Sequence, residues 1–158
     1  MIPKARDLME TGIVSVGPAT PLLDVHRLFT EEEISGAPVV DEDGTLLGVI
    51  TTTDLVRAIE EEHDAGRMSA DYFRDLLPYS SPDWLSGPED LQDRLRQMRA
   101  EDVMTRDVRT VPPDMPVTLV ARALRESRIH RVFVSEGARL VGVLSAFDLL
   151  RVVEDWKD

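Results

Sequence analysis

The chain has no cysteine, few aromatic residues and no long apolar run. Without cysteine, neither a disulfide framework nor a cysteine-based zinc site can form. No stretch approaches the roughly 18 apolar residues that a membrane helix needs. Residues 1–7 also lack the apolar segment of a signal peptide. These absences predict a cytoplasmic protein with no membrane insertion.

Positive charge is also scarce, and the net charge of −12 is unevenly distributed. Residues 1–99 hold 9 Lys and Arg against 20 Asp and Glu, a net of −11, while residues 100–158 hold 9 against 10, a net of −1. Such an acidic chain repels the phosphates of nucleic acid, so we expect no nucleic-acid partner. Residues 100–158 should therefore repel a small anion much less than residues 1–99 do.

Enzyme and metal motifs are missing as well. The sequence contains no HExxH, Walker A or nucleophile-elbow pattern. The acidic runs Glu31–Glu33 and Glu60–Asp64 are interpreted as solvated helix faces, because consecutive helical residues point in different directions. We therefore predict no catalytic residues, no metal site and no enzymatic activity.

An internal repeat organises the chain. Asp7-Leu8-Met9 matches Asp102-Val103-Met104 at an offset of 95 residues. Further along, Leu47–Thr51 matches Val141–Ser145 at an offset of 94, which a one-residue change in turn length explains. The predicted domains are a first repeat over residues 1–59, a helical insertion or linker over 60–99 and a second repeat over 100–158.

Each repeat has the pattern β-α-β-β-α. Thr20 is a plausible N-cap and Pro21 fits the first helical position. Each hairpin is followed by a helix that begins near Thr53 or Ala146. The predicted strands are Ile13–Val16, Ala37–Val40 and Leu46–Thr51, then Val108–Val111, Val132–Ser135 and Leu140–Ser145. We therefore expect an α/β (α+β) fold in which the two repeats pack sheet to sheet as a pseudo-twofold pair, since one small sheet buries too little alone.

The insertion is predicted to be structured. Its pattern indicates a helix over Ser69–Leu77, a loop over Pro78–Trp84 and a helix from a capping box at Ser86 through Met98. Its apolar residues either pack on the repeats or form a surface for docking a partner.

A hydroxyl residue followed three positions later by an aspartate recurs in both repeats. In Gly48–Asp54 and Gly142–Asp148 a buried strand ends and the aspartate opens a helix. A carboxylate can accept two hydrogen bonds from a vicinal diol such as ribose, and a helix N-terminus suits a phosphate. The alternative is ordinary helix capping. The duplication leaves the two interpretations about equally supported.

A basic segment precedes a strand in the second repeat only. His130 and Arg131 at a strand entrance can jointly hold a phosphate. The matching positions in the first repeat, Ser35 and Gly36, offer no cation. The alternative is a solvated surface loop.

Taken together, both repeats resemble CBS domains, and the pair resembles a stand-alone Bateman module. The similarity lies in the Asp7-Leu8-Met9 and Glu101–Thr105 openings, the middle strands Ser35–Val40 and His130–Val134, and the Gly48–Asp54 and Gly142–Asp148 motifs. It covers about 110 residues and omits the insertion. Phe133 stands where this family often has proline.

This resemblance implies adenine-nucleotide binding in clefts between the repeats. Asp54 and Asp148 would accept ribose hydroxyls, and His130 with Arg131 would hold phosphate. Thr51, Thr53 and Ser145 would support ribose or phosphate. The backbone would frame adenine at Ile13, Val14 and Ala37 in one cleft, and at Val108, Arg109 and Val132 in the other.

The expected function is a regulatory sensor without catalysis or a catalytic cofactor, acting on a separate protein partner. Its ligand would be AMP, ADP or ATP, with S-adenosylmethionine as a further candidate, and the resemblance implies a homodimer. One alternative is a structural or interaction module with vestigial clefts. Another is an enzyme hidden in the same clefts, disfavoured because no nucleophile–base pair is visible.

Overall fold

In the computed structural model, residues 1–62 and 89–157 are described here. The chain forms two compact units, and each draws on both repeats. We name them after the repeat that supplies most of their strands and helices. The repeat-1 unit comprises Ser15–Val39 and Leu47–Arg106. The repeat-2 unit comprises Met1–Val14, Val40–Leu46 and Asp107–Asp158.

The described elements follow the predicted mixture of helices and short strands. In chain order they are α1 (Ala5–Leu8), α2 (Leu22–Glu32), β1 (Gly36–Val40), β2 (Leu46–Thr51), α3 (Thr52–Glu62), α4 (Glu89–Gln97), α5 (Ala100–Val103), β3 (Thr110–Val111), α6 (Val117–Ser127), β4 (Arg131–Glu136), β5 (Arg139–Ser145) and α7 (Ala146–Glu154). Strands β1 and β2 form a two-stranded sheet, and β3, β4 and β5 form a three-stranded sheet in that order. The predicted fold class is confirmed.

Each unit has its own apolar core, built from a helix that packs on its sheet. In the repeat-1 unit, Val25 of α2, Ile50 of β2 and Leu95 of α4 are fully buried in one cluster. In the repeat-2 unit, Val120 of α6 and Leu144 of β5 are fully buried in another. The apolar residues of α2 and α6 recur at helical spacing, which explains why one face of each helix lies in a core.

The opening helix of each repeat folds with the body of the other repeat. In the repeat-2 unit, the Ala5 N–H donates to the Met115 carbonyl at 2.8 Å. In the repeat-1 unit, the Ala100 N–H donates to the Thr20 carbonyl at 2.9 Å. Residues 5 and 100, like 20 and 115, are 95 positions apart, so the same contact is made twice with exchanged partners.

The predicted strand Ile13–Val16 is reduced to one bridge. Val16 pairs in parallel with Val39, and the next pair would place Ser15 opposite Pro38. That pair needs an N–H that proline does not have. In the second repeat the equivalent residue is Phe133, which pairs with Thr110 in β3. Even so, β3 contains only Thr110–Val111 of the predicted Val108–Val111.

The start of α2 also differs from the prediction. Pro21 is the N-cap, with ψ 144°, and the helix begins at Leu22. The Pro21 carbonyl accepts the first helical hydrogen bond, from Val25 at 3.1 Å. Thr20 therefore lies one residue before the cap, and its carbonyl is used by Ala100.

Part of the predicted insertion lies outside the described residues, namely the Ser69–Leu77 helix, the Pro78–Trp84 loop and the capping box at Ser86. Its last helix is present as α4, Glu89–Gln97, and it packs against α2. Among the described helices, none combines the length and apolar character needed to cross a lipid bilayer.

Candidate functional site

Polar and basic residues converge at one edge of the three-stranded sheet in the repeat-2 unit. Arg131 at the start of β4 lies opposite Ser145 at the end of β5. The carbonyl of His130 accepts the Ala146 N–H at 2.8 Å, which fixes the entrance to β4 beside the first residue of α7. Because Thr110 pairs with Phe133 in parallel, Val108 and Arg109 reach the same edge. We call Val108, Arg109, His130, Arg131, Val132, Ser145 and Asp148 the sheet-edge site.

Ser145 and Asp148 form a reciprocal cap at the start of α7. Asp148 Oδ2 accepts hydrogen bonds from the Ser145 N–H and Oγ, both at 2.8 Å, and the Asp148 N–H donates to Ser145 Oγ at 3.1 Å. This is the capping box that the alternative interpretation predicts. Only one carboxylate oxygen is used, however. Asp148 Oδ1 forms no hydrogen bond or ion pair within residues 1–62 and 89–157, so it remains an acceptor for a hydroxyl group.

Three basic side chains at this edge are exposed. Arg128, His130 and Arg131 follow α6 and lead into β4. Within the described part of the chain, none of their side chains forms a hydrogen bond or ion pair. Arg128 has a φ of 53° and caps α6 in the left-handed conformation, which turns the chain sharply into β4. These basic side chains are therefore held at the surface by a defined backbone turn.

Arg109 adds a fourth basic side chain. Its Nη1 donates to Ser127 Oγ at 2.6 Å, which holds the guanidinium at the C-terminal end of α6. The sequence argument gave Arg109 only a backbone role beside adenine. The side-chain contact depends on the distance between β3 and the end of α6, and a spacing of 18 residues does not reveal that distance.

The corresponding hydroxyl–aspartate pair in the repeat-1 unit is more deeply buried. Asp54 is 6% exposed, and its Oδ2 accepts from the Thr51 N–H at 2.8 Å and from Thr51 Oγ1 at 3.0 Å. Its Oδ1 lies 3.8 Å from Arg57 Nη1. Among described residues, no ion pair joins Asp148 to Arg151, the counterpart of Arg57. The two aspartates therefore have different spare acceptor capacity.

The remaining residues predicted to bind nucleotide are divided between the units. Ala37, buried in β1, and Thr53, exposed in the first turn of α3, lie with Thr51 and Asp54 in the repeat-1 unit. Ile13 and Val14 are half-buried and belong to the repeat-2 unit. Val108, Arg109 and Val132, predicted to frame adenine in the second cleft, lie in the repeat-2 unit, as do His130, Arg131, Ser145 and Asp148.

The charge at the end of the first long helix is opposite in the two repeats. Glu33 caps α2 with a φ of 54°, and Arg128 caps α6 with a φ of 53°. They are 95 residues apart and share one backbone conformation. The preceding turn of α2 contains Glu31 and Glu32, whereas that of α6 contains one acidic and one basic residue, Glu126 and Arg125. Alignment of the two repeats in the sequence already shows this exchange of Glu33 for Arg128, which makes the second repeat less repulsive to an anion.

No cluster of three or more His, Asp or Glu side chains suitable for a metal ion occurs within residues 1–62 and 89–157. The predicted nucleotide-binding roles require no metal, because charged and hydroxyl side chains supply the polar groups.

Comparison with known proteins decides the family. The sequence profile of the CBS domain matches residues 5–61 and 100–155. The chain belongs to the CBS domain family. The two matches show that the chain carries a CBS domain pair.

A curated relative and two solved structures illustrate the range of similar CBS proteins. An uncharacterised protein of Methanocaldococcus jannaschii, MJ1426, is 31% identical over 151 residues, which cover 94% of this chain and 89% of that protein. The structure of CBSX2 in complex with AMP has 22% identity and a TM-score of 0.68, and covers 96% of both chains. The CBS domain pair of protein MJ0100, in complex with 5′-methylthioadenosine and S-adenosyl-L-methionine, has 22% identity and a TM-score of 0.61, and covers 99% of this chain and 100% of that one.

Proposed function

We propose that this CBS domain pair is a regulatory sensor of adenine nucleotides, without catalysis of its own, and that it acts on a separate protein partner. The observation that carries the proposal is the convergence of an acceptor, Asp148, and three basic residues, Arg109, His130 and Arg131, at the sheet-edge site. A nucleotide needs both: a diol acceptor for ribose and cationic donors for phosphate.

The two parts of the ligand are assigned to opposite sides of this site. Asp148 Oδ1 accepts a ribose hydroxyl, while its Oδ2 stays bonded to Ser145, so ligand binding leaves the helix cap intact. His130 and Arg131 bind the phosphate, and the backbone at Val108, Arg109 and Val132 frames the adenine. In the first cleft, the proposed roles are adenine framing by Ile13, Val14 and Ala37, and polar contacts from Thr51, Thr53 and Asp54.

We place the stronger binding in the second repeat. Asp54 is nearly enclosed and lies near Arg57, and Ser35 and Gly36 supply no cation. Glu33 adds negative charge where the second repeat has Arg128. An anionic ligand therefore meets repulsion at the first repeat and attraction at the second.

The preferred ligands are AMP, ADP and ATP. CBSX2 with AMP and MJ0100 with S-adenosyl-L-methionine are the related complexes that support an adenosine ligand. The guanidinium groups of Arg109, Arg128 and Arg131 favour a phosphate tail over the sulfonium group of S-adenosylmethionine, since like charges repel. S-adenosylmethionine remains the comparison ligand in every titration.

The proposal includes a homodimer and a cytoplasmic location. A chain without cysteine is compatible with a reducing compartment. The regulated partner would respond to the occupied and empty forms differently, because a ligand shifts a conformational equilibrium only through unequal affinity for its states.

Isothermal titration calorimetry tests this function. AMP, ADP, ATP and S-adenosylmethionine are each titrated into the full chain at low and high salt. The expected result is one strong site per chain for the phosphorylated ligands, weakening as salt rises. If none of the four ligands gives a binding heat at millimolar concentration, the proposed function as a nucleotide sensor is wrong.

A second candidate function is an interaction module whose nucleotide clefts are vestigial. The observation that favours it is the apolar surface of α7, where Phe147 is 80% exposed and Val153 is 64% exposed. A protein of this class would assemble identically with and without nucleotide. Sedimentation measured in both conditions, combined with the titrations, separates the two functions.

A further inference from the structure

Two methionines make the same contact in the two repeats. Met9 and Met104 are 95 residues apart, and each packs its side chain against a glycine of a hairpin strand, Gly142 of β5 and Gly48 of β2. A Cβ atom built on Gly142 would lie 2.8 Å from Met9 Cγ, and one built on Gly48 would lie 2.9 Å from Met104 Sδ. Because the chain has no cysteine, methionine provides all of its sulfur chemistry.

The two methionines differ in exposure. Met104 is only 9% exposed and belongs to the buried cluster of the repeat-1 unit. Met9 is half-buried: it lies at the margin of the apolar cluster of the repeat-2 unit, and its neighbour Glu10 is exposed. A small oxidant in solvent should therefore reach Met9 in the folded chain, whereas it reaches Met104 only when the structure opens locally.

We propose that Met9 is a site of reversible oxidation by hydrogen peroxide or an organic hydroperoxide, and that its sulfoxide loosens the opening segment of the chain from β5. The Sδ lone pair attacks one peroxide oxygen, so that an S–O bond forms as the O–O bond breaks. The sulfur loses two electrons, and the other oxygen takes the proton of the first and leaves as water or an alcohol. A methionine sulfoxide reductase restores the thioether and releases water, with a pair of thiols oxidised to a disulfide. This modification does not depend on nucleotide binding.

The sulfoxide fits poorly at this contact. Its added oxygen is polar, whereas Met9 packs on apolar side chains, and the side of the sulfur that faces Gly142 has no space for another atom. Hydration of the oxygen therefore draws the side chain away from Gly142. The next residue, Glu10, is bound to β5 by two hydrogen bonds: its N–H donates to the Val143 carbonyl at 2.8 Å, and its carbonyl accepts the Val143 N–H at 3.0 Å. Displacement of Met9 weakens this pair.

The repeat-1 unit contains the matched control for this change. Val49 and Thr105 exchange the same two backbone hydrogen bonds, each at 2.9 Å, beside the contact of Met104 with Gly48. Since Met104 is buried, the Val49–Thr105 pair should stay intact under a treatment with peroxide that oxidises Met9. Sensitivity to peroxide is therefore assigned to one of two contacts that share the same backbone geometry.

Peptide mass spectrometry of the full chain after brief treatment with dilute hydrogen peroxide tests the site. Met9 should be oxidised at least about tenfold faster than Met104, because each 1.4 kcal/mol needed to open the structure around a buried sulfur slows its oxidation about tenfold. Met1, which is fully exposed, is the positive control, and in denaturant the rates of Met9 and Met104 should converge. Equal rates for Met9 and Met104 in the folded chain would overturn the proposal.

Hydrogen exchange of the backbone amides tests the consequence. Oxidation should speed exchange at Glu10 and Val143 by roughly 5- to 150-fold, the effect of overpacking a close contact, and leave Val49 and Thr105 unchanged. The variant Met9→Leu, which conserves volume but has no sulfur, should keep both pairs protected after the same treatment. Methionine sulfoxide reductase should restore protection to the oxidised wild type. Unchanged exchange in a chain oxidised at Met9 would overturn the loosening, and an equal loss of protection in Met9→Leu would overturn the role of Met9 in it.

Discussion

Met9 packs directly against Gly142, and there is no room between them for a methyl group. A Cβ atom built on Gly142 would lie 2.5 Å from Met9 Sδ and 2.8 Å from Cγ. The adjacent residues Glu10 and Val143 exchange two backbone hydrogen bonds, at 2.8 and 3.0 Å. The opening segment of the first repeat is therefore bound to β5 of the second repeat by close packing and by strand pairing.

Gly142→Ala should destabilise the protein by about 1–3 kcal/mol, because the added methyl group overlaps Met9 in a packed interior. Chemical denaturation measures the change in the free energy of unfolding. Gly12→Ala is the matched control. The nearest atom to a Cβ on Gly12 is Glu10 Oε1 at 4.0 Å, so its effect should stay within about 0.5 kcal/mol.

A double variant identifies the cause. Met9→Ala removes the overlapping atoms, so Gly142→Ala should cost less in that background than in the wild type. If the two changes are additive, the contact between Met9 and Gly142 does not explain the loss of stability in Gly142→Ala, and strand propensity alone would account for that loss.

Phe133→Pro should destabilise the chain more than Phe133→Ala does. Both substitutions remove the aromatic side chain, but only proline removes the N–H that the Thr110–Phe133 pairing uses. The difference should be about 0.5–1.5 kcal/mol, the net contribution of one backbone hydrogen bond. Equal free energies of unfolding for the two variants would contradict the role assigned to this N–H, and with it the explanation of the missing strand in the first repeat.

Asp148→Ala and Asp54→Ala form a matched pair for the ribose assignment. Both variants lose a helix cap, so both should be destabilised by about 1 kcal/mol. Only Asp148→Ala should weaken AMP and adenosine, by roughly 10- to 150-fold, since a charged acceptor is lost there. Calorimetric titration of the folded variants measures both affinities. If Asp54→Ala lowers the affinity for AMP more than Asp148→Ala does, the occupied site lies in the first repeat.

Arg109→Met should weaken AMP by roughly 2- to 12-fold and leave adenosine unchanged. Its guanidinium lies at the end of α6 on Ser127 and contributes charge near the phosphate. Arg122→Met, which removes an exposed cation elsewhere on α6, is the control. Equal losses of AMP affinity in the two variants would show that Arg109 acts only through the overall electrostatic field of the protein.

Much of the fold was predictable because it depends on local signals. The hairpin at Asp41–Gly44 forms as expected: Asp41 Oδ1 accepts the N–H groups of Asp43 and Thr45, each at 2.9 Å, and Gly44 adopts a φ of 83°. The start of α7 at Ala146 also agrees, since Ser145 and Asp148 cap it. These features depend on residues within four positions of one another.

The features that were missed depend on distant partners. The loss of the Ile13–Val16 strand follows from Pro38, more than twenty residues away, and the sequence argument did not connect the two. The exchange of opening helices between the repeats also leaves no local signal, because Ala5 and Ala100 fit either repeat equally well. The residues of the sheet-edge site were identified from the sequence. The difference in spare acceptor capacity between Asp54 and Asp148 was not, because it depends on burial and on the position of Arg57.

The central claim is that the basic pair at the entrance to β4 binds phosphate while Asp148 binds ribose. The most direct measurement is the affinity of AMP and of adenosine for the wild type and for the variant His130→Ala with Arg131→Ala, determined by isothermal titration calorimetry at two salt concentrations. The account predicts a loss of roughly 10- to 150-fold for AMP, little change for adenosine, and a smaller AMP loss at high salt. AMP affinity that is equal in the variant and the wild type would contradict it.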